Sequence, residues 1–299
     1  MADVSTSFLG LAISNPLVVA SGPLTDQEKS IRGMLASGAG AVVTKTIHPS
    51  PPQGLDERIL RIETGMLNST TYSQRSIADW CETLKALAHD NLPIVASIHA
   101  DTPADLAALA ARVEDTGCRA LELGISCINE AEGLEDTPQR IGRLTEAVRN
   151  AVRVPFSVKL AIGETMNERI SAAMDAGANA VTLSDTIPGL SVDAQTGQVR
   201  LNGSYGYSGP GIKPLVQSAI YELRKKGFKN EISGTGGASN EADIVEYMSV
   251  GANTVQIYTA LHSKAFATLE RITAGLHKWF DDNGLSATDV LNRSFRQGR

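Results

Sequence analysis

Eight short runs of apolar and β-branched residues recur along the chain, at residues 17–21, 41–45, 94–98, 120–125, 156–160, 180–184, 231–234 and 254–258, separated by stretches long enough for a helix. The runs are apolar on both faces, the pattern of strands in a parallel sheet covered on both sides. Gly38, Gly117, Gly177 and Gly251 each stand two residues or so before such a run. A glycine there lets the preceding helix close in the left-handed conformation and turn directly into the next strand. One αβ unit repeated in this way predicts an α/β protein, a (β/α)8 TIM barrel, with residues 6–14 forming a small N-terminal hairpin that closes its bottom. Three connections, 46–73, 126–136 and 185–210, are longer than usual and all follow C-terminal ends of strands. The prediction is therefore long loops over the C-terminal face, where barrels place their chemistry.

Composition narrows the reading. A chain of 299 residues suits one large barrel, and no Pro/Gly/Ser-rich linker or charge block divides it, so a single domain over 1–299 is expected. The formal net charge is −6 with no basic stripe, which argues against nucleic acid and anionic membranes as partners. No apolar stretch is long enough to span a bilayer and the first residues lack the regions of a signal peptide, so a cytoplasmic protein is expected. Cys81, Cys118 and Cys127 form neither a metal-spaced cluster nor a disulfide framework; Cys81 and Cys118 read as packing residues.

Candidate chemistry gathers at the predicted strand ends. Gly236-Gly237, followed by Ser239 and Asn240 at a helix start, suits an anionic group held on bare N–H groups, and barrels commonly hold phosphate after strands 7 and 8. The bland alternative is a glycine-capped turn. Lys45 and Lys159 stand near the ends of strands 2 and 5, where burial of an ammonium demands a partner; a barrel-interior salt bridge is the structural alternative to a catalytic or cofactor role. Cys127 opens a polar loop after strand 4, which favours chemistry over packing. Ser184, Asp185 and Thr186 follow strand 6.

Several segments together resemble the dihydroorotate dehydrogenases, FMN-binding (β/α)8 barrels. Asn15-Pro16 through Ser21-Gly22 is similar to that family's first strand and Val42-Val43-Thr44-Lys45-Thr46 to its second; Gly65-Met66-Leu67-Asn68 resembles the substrate loop of the heteromeric class, whose catalytic subunit works with an iron-sulfur flavoprotein. Leu121-Glu122-Leu123 with Ser126-Cys127 resembles the catalytic loop, Ser157-Val158-Lys159-Leu160 the fifth strand, and Tyr207 through Pro214 an FMN-contacting loop. Residues 80–123 also resemble the pyrimidine-reducing domain of dihydropyrimidine dehydrogenase. The resemblance implies FMN contacts at Ala20, Ser21, Lys45, Thr46, Lys159, Ser208, Gly209, Gly236, Gly237, Tyr258 and Thr259. It implies Cys127 as the catalytic base, assisted by Lys45, and substrate contacts at Asn68, Gly124, Asn129, Asp185 and Thr186. It further implies an oxidoreductase of pyrimidine metabolism, a homodimer, and a partner electron-transfer subunit.

The chain departs from the family at informative places. Gly124 and Asp185 stand where the family carries Asn, Ile128 where it carries Pro, and the basic, glycine-rich stretch after strand 2 becomes His48 through Gly54. An ionised Asp185 can only accept hydrogen bonds and would repel an anionic orotate. The expected activity is thus interconversion of a C–C single and double bond next to a carbonyl, with dihydroorotate or a related dihydropyrimidine as default substrate. Alternatives are a paralogue acting on a neutral or cationic heterocycle or enone, a noncatalytic flavin-binding subunit, and a non-redox aldolase or isomerase with a Schiff-base lysine.

Overall fold

The computed structural model describes residues 2–51, 53, 57–125 and 136–296. Its strands, in chain order, begin with β1 (Thr6–Phe8), β2 (Leu11–Ile13), β3 (Leu17–Val19), β4 (Ala41–Val43), β5 (Ile59–Ile62), β6 (Gly65–Asn68) and β7 (Ile94–Ile98). They continue with β8 (Leu121–Gly124), β9 (Phe156–Leu160), β10 (Ala180–Leu183), β11 (Ile187–Gly189), β12 (Tyr205–Ser208), β13 (Glu231–Thr235) and β14 (Thr254–Ile257). Eight of these, β3, β4, β7, β8, β9, β10, β13 and β14, pair in parallel in that order, and β14 pairs β3 to close the barrel.

Helices alternate with the barrel strands for local reasons visible in the sequence. In the helix Pro103–Glu114, Thr102 caps the N-terminus by accepting from Asp105 N–H, Pro103 occupies the first turn where no donor is needed, and Leu106, Leu109, Ala110 and Val113 bury one stripe against the sheet. Pro138–Ala151 repeats the device with Thr137 as cap and Ile141, Leu144, Thr145 and Val148 buried. The predicted glycines Gly38, Gly117, Gly177 and Gly251 all have positive φ.

Alternation along the barrel strands sorts the interior into layers. Outward residues such as Leu121, Leu123, Val158, Leu160, Val255 and Ile257 pack with the helices in the main core. At the bottom, Val18, Ala41, Val43, Val95, Ala120 and Ala180 form a separate apolar cluster with Phe8, Leu9, Leu11 and Ile13 of the β1–β2 hairpin. The hairpin turns at Leu9-Gly10, both at positive φ, and Glu231 pins it by accepting from Leu9 N–H at 2.9 Å. Above this plug lies a polar layer. The fully buried Glu122 accepts at one oxygen from Thr182 Oγ1 (2.7 Å) and Gln256 Nε2 (2.8 Å), and Thr254 Oγ1 donates to Ser233 Oγ at 2.9 Å.

The structure differs from the sequence reading at the tops of strands. The strands within the runs predicted over 17–21, 41–45 and 180–184 end earlier, at Val19, Val43 and Leu183. Single hydrogen bonds to the neighbouring strands continue just past them, from Ala20 N–H to the Ile257 carbonyl at 2.9 Å, Thr44 N–H to that of Val95 at 3.0 Å and Ser184 N–H to that of Thr235 at 2.7 Å, while Lys45 N–H bonds the Thr25 carbonyl at 3.1 Å. Two of the long connections are not irregular. Residues from 46–73 and 185–210 join in a four-stranded antiparallel sheet ordered β11-β12-β6-β5, which stands over the barrel mouth. The third, after β8, lies almost wholly outside the described residues. Among the described residues no helix is long and apolar enough to cross a membrane.

Candidate active site

A cleft of about 1050 Å³ opens at the C-terminal ends of the barrel strands, roofed by the β11-β12-β6-β5 sheet. It is lined by Ala20, Ser21, Lys45, Thr46, Asn68, Gly124, Lys159, Asp185, Thr186, Ser208, Gly236, Gly237, Tyr258 and Thr259, which are spread over more than two hundred positions of sequence. Gly209 does not line the cleft; its carbonyl lies directly behind Gly237. Cys127 and Asn129 lie outside the described residues.

One end of the cleft is built from backbone. Gly236 and Gly237 follow β13 with φ of 131° and 77°, conformations that side chains resist. A Cβ on Gly237 would fall 2.5 Å from the Gly209 carbonyl oxygen, and one on Gly236 would fall 2.8 Å from Ile212 Cδ1. Glycine is therefore required twice, by torsion and by space. Tyr247 Oη donates to the Gly236 carbonyl at 2.5 Å and fixes it. Ser239 N–H and Oγ both go to Asp243 Oδ2, at 2.8 and 3.0 Å, so the Ser239 N–H is already committed within the protein. Thr259 Oγ1 donates to Ser208 Oγ at 2.9 Å, adding a hydroxyl pair from β12 and the end of β14. The Tyr258 ring wedges under Gly22, where a Cβ would meet it at 2.2 Å, and its hydroxyl accepts from Leu24 N–H at 2.9 Å. Burial pushes the Tyr258 phenol well above its ordinary value, so it stays neutral.

The other end is built from side chains. Lys45 is buried and donates to the Thr71 carbonyl. Ser21, Thr46 and Ser97 form a hydroxyl chain with separations of 3.2 and 2.9 Å. Lys159 Nζ lies 3.7 Å from Asp185 Oδ1, and that oxygen also accepts from Thr186 N–H at 2.8 Å. The sequence suggested Asp185 as a charge facing the substrate alone; in the fold it is also the partner of Lys159. Asn68 Nδ2 donates to the Gly206 carbonyl at 3.2 Å while its Oδ1 accepts from Thr70 Oγ1 at 2.8 Å. At Gly124 the nearest atoms to an added Cβ are those of Thr46 at 3.6 Å, ordinary contact, so the missing side chain there leaves usable space.

Sequence reasoning missed several lining residues. Gln256 and Ser97 form part of the floor and link it to Glu122 and Thr44. Tyr72 forms a wall, backed by His48 and His99 with ring centroids 4.6 and 5.3 Å from it. Burial holds the His48 and His99 imidazoles below their usual value, His99 at about 3, so both are neutral at pH 7. With Asp101 these histidines form a group with metal-ligand spacing. The hydrogen bond from Ser50 N–H to His48 Nδ1 at 3.0 Å argues against a metal. An accepting Nδ1 puts the ring proton on Nε2, the nitrogen turned toward Asp101, whereas a ligating imidazole keeps one nitrogen bare and donates from the other. The only signal for this wall in the sequence is the pair of histidines just past two strand ends.

Comparison with known proteins agrees with this geometry. A family model described as dihydroorotate dehydrogenase matches residues 3–280. The chain is 31% identical over 293 residues to the dihydroorotate dehydrogenase B (NAD(+)) catalytic subunit of Methanocella arvoryzae, covering 96% of both chains. The protein of the same name from Pyrococcus furiosus is 31% identical over 295 residues, with 97% of each covered. The solved structure of DHODH from Eimeria tenella in complex with ferulenol is similar in fold, with a TM-score of 0.82 over 98% of this chain and 89% of that one at 18% identity. The closed barrel, the glycine turn after β13 and near-complete matches along the chain lead to one conclusion: this chain belongs to the dihydroorotate dehydrogenase family.

Proposed function

We propose that this chain is an FMN-dependent oxidoreductase that interconverts a C–C single and double bond next to a carbonyl in a dihydropyrimidine, with dihydroorotate and orotate as the reference pair. The observation that carries the reading is the joining, in one cleft, of a side-chain-free glycine turn and two lysines on opposite sides of the barrel mouth. FMN fits the residues present. The turn at Gly236-Gly237 lines the cleft with backbone free of side chains, which suits a phosphate, Ser208 and Thr259 offer hydroxyls beside it, and Ala20 and Ser21 leave a small-residue shelf along the cleft.

When bound, FMN supplies the two-electron acceptor and donor that no side chain provides. Lys159 contributes a cation that favours the more negative, reduced form. Lys45, ordered by the Thr71 carbonyl, holds positive charge on the opposite side of the cleft. Cys127 takes the proton from the carbon adjacent to the carbonyl as the substrate is oxidised, and returns it in the reverse direction. Asn68, Gly124, Asp185 and Thr186 line the cleft where the substrate would lie, and Asn129 keeps the substrate role that the family resemblance implies.

The relatives named above are catalytic subunits. That supports a partner electron-transfer subunit, an iron-sulfur flavoprotein in this reading; a homodimeric, single-domain, cytoplasmic protein is part of the same proposal. A Schiff-base aldolase is disfavoured because the Lys159 ion pair stabilises the ammonium form, whereas imine formation needs the free amine. The test is the absorption spectrum of the purified protein, followed by anaerobic dihydroorotate. A flavin band that bleaches supports the proposal; a colourless protein whose lysine is trapped by borohydride with a carbonyl substrate overturns it.

A further inference from the structure

The Lys159–Asp185 pair is built by neighbouring strands. Thr182 of β10 lies in register with Lys159 of β9, and Asp185 follows three residues later, so both side chains emerge together at the cleft. Asp185 is anchored twice without any ligand: its N–H donates to the Leu160 carbonyl at 3.1 Å, and its Oδ1 accepts from Thr186 N–H at 2.8 Å. The Oδ1–Nζ distance is 3.7 Å, and the side chains are only 12% (Lys159) and 18% (Asp185) exposed, so solvent ions screen the pair weakly. The other ammonium in the cleft, that of Lys45, is committed to the Thr71 carbonyl. The β9–β10 side of the cleft therefore carries a compensated charge in place of a lone cation.

We propose that Asp185 is a positioning residue that holds Lys159 and offsets its charge, and so lowers the reduction potential of the FMN bound in this cleft. The inference rests on the function proposed above. Its physical content is the sign of one Coulomb interaction. Reduction adds negative charge, a cation beside the site favours it, and a carboxylate paired with that cation removes part of the advantage. The same pair helps to orient the Lys159 ammonium, which loses this carboxylate when Asp185 is neutralised.

The experiment measures the two-electron potential of flavin-loaded protein by equilibration with a reference dye. Asp185→Asn is expected to shift the equilibrium about tenfold toward reduction, which is about 30 mV upward for a two-electron couple. Asp185→Glu, which keeps the charge, is expected to shift it less than threefold, and Lys159→Gln to move it the opposite way. Asp185→Ser provides a second uncharged variant, measured with excess FMN. Unmoved potentials in Asp185→Asn and Asp185→Ser overturn the inference. So does failure of both to hold flavin while Asp185→Glu does, since the residue would then serve only to hold its loop. A parent protein that never takes up flavin overturns the proposed function instead.

Discussion

The two ends of the cleft solve their problems with different materials. At the Gly236-Gly237 end the functional surface is main chain, and its shape is enforced by exclusion: the Gly209 carbonyl and Ile212 stand where any Cβ would go. At the Lys159 end the surface is side chain, and its properties come from balance: an ammonium, a carboxylate and the backbone bonds that hold them. A steric requirement is all or nothing, whereas an electrostatic balance can be adjusted by single substitutions. The first end suits a group that never changes, such as a phosphate. The second suits a property that single substitutions can tune.

The largest effect should come from breaking the backbone end. Gly237→Asp sets a Cβ 2.5 Å from the Gly209 carbonyl oxygen, which forces the turn out of shape, and adds a negative charge next to the proposed anion site, so FMN occupancy should fall to near zero while the barrel stays folded. Flavin content and circular dichroism on the same sample check this; full occupancy would show that the phosphate lies elsewhere. Next comes the proposed base: Cys127→Ser should retain flavin but lose roughly a hundredfold in turnover at neutral pH, because a hydroxyl is a far weaker base than a thiolate. Turnover equal to the parent would reduce Cys127 to packing.

A third effect concerns the wall behind the side-chain end. The folded His99 value, at about 3, lies below the ordinary 6.5, so the unfolded chain binds more protons between them. Stability is then full above pH 6.5 and falls as the pH drops toward 3, by about 2 kcal/mol at pH 5 from this residue. Denaturant titrations of parent and His99→Phe at pH 7 and 5 should diverge by that amount, and parallel pH profiles would refute the burial argument. The smallest effect sharpens the balance itself. Asp185→Asn removes a negative charge and restores a donor, so orotate should bind up to about tenfold tighter, a gain of about 1.4 kcal/mol. Weaker orotate binding in this variant would mean that Asp185 serves the substrate as an acceptor.

The fold was legible because its cause is local and repeated. The barrel strands announced themselves by apolar residues on both faces, and four of the returns from helix to strand by a glycine that takes positive φ, at Gly38, Gly117, Gly177 and Gly251. The glycine end of the site was legible for the same reason, since two adjacent glycines after a strand have few other uses. The β11-β12-β6-β5 sheet was not. Its strands are three or four residues long, too short to show a period, and Met66 and Leu67 of β6 find their partners Ser208 and Tyr207 some 140 positions away. The His48–Tyr72–His99 wall was missed likewise, because its rings come from three separate loops.

By itself the sequence determined the repeat, the barrel, the chemical types at the strand tops and the place where only glycine fits. These follow from propensity, torsion and periodicity, which act within a few residues. Which charges meet was decided by the tertiary structure alone. Lys159 and Asp185 are 26 positions apart and become partners because β9 and β10 pair in the register that sets Thr182 beside Lys159. Electrostatic energy depends on distance through space and on burial, and neither quantity exists until the barrel has closed.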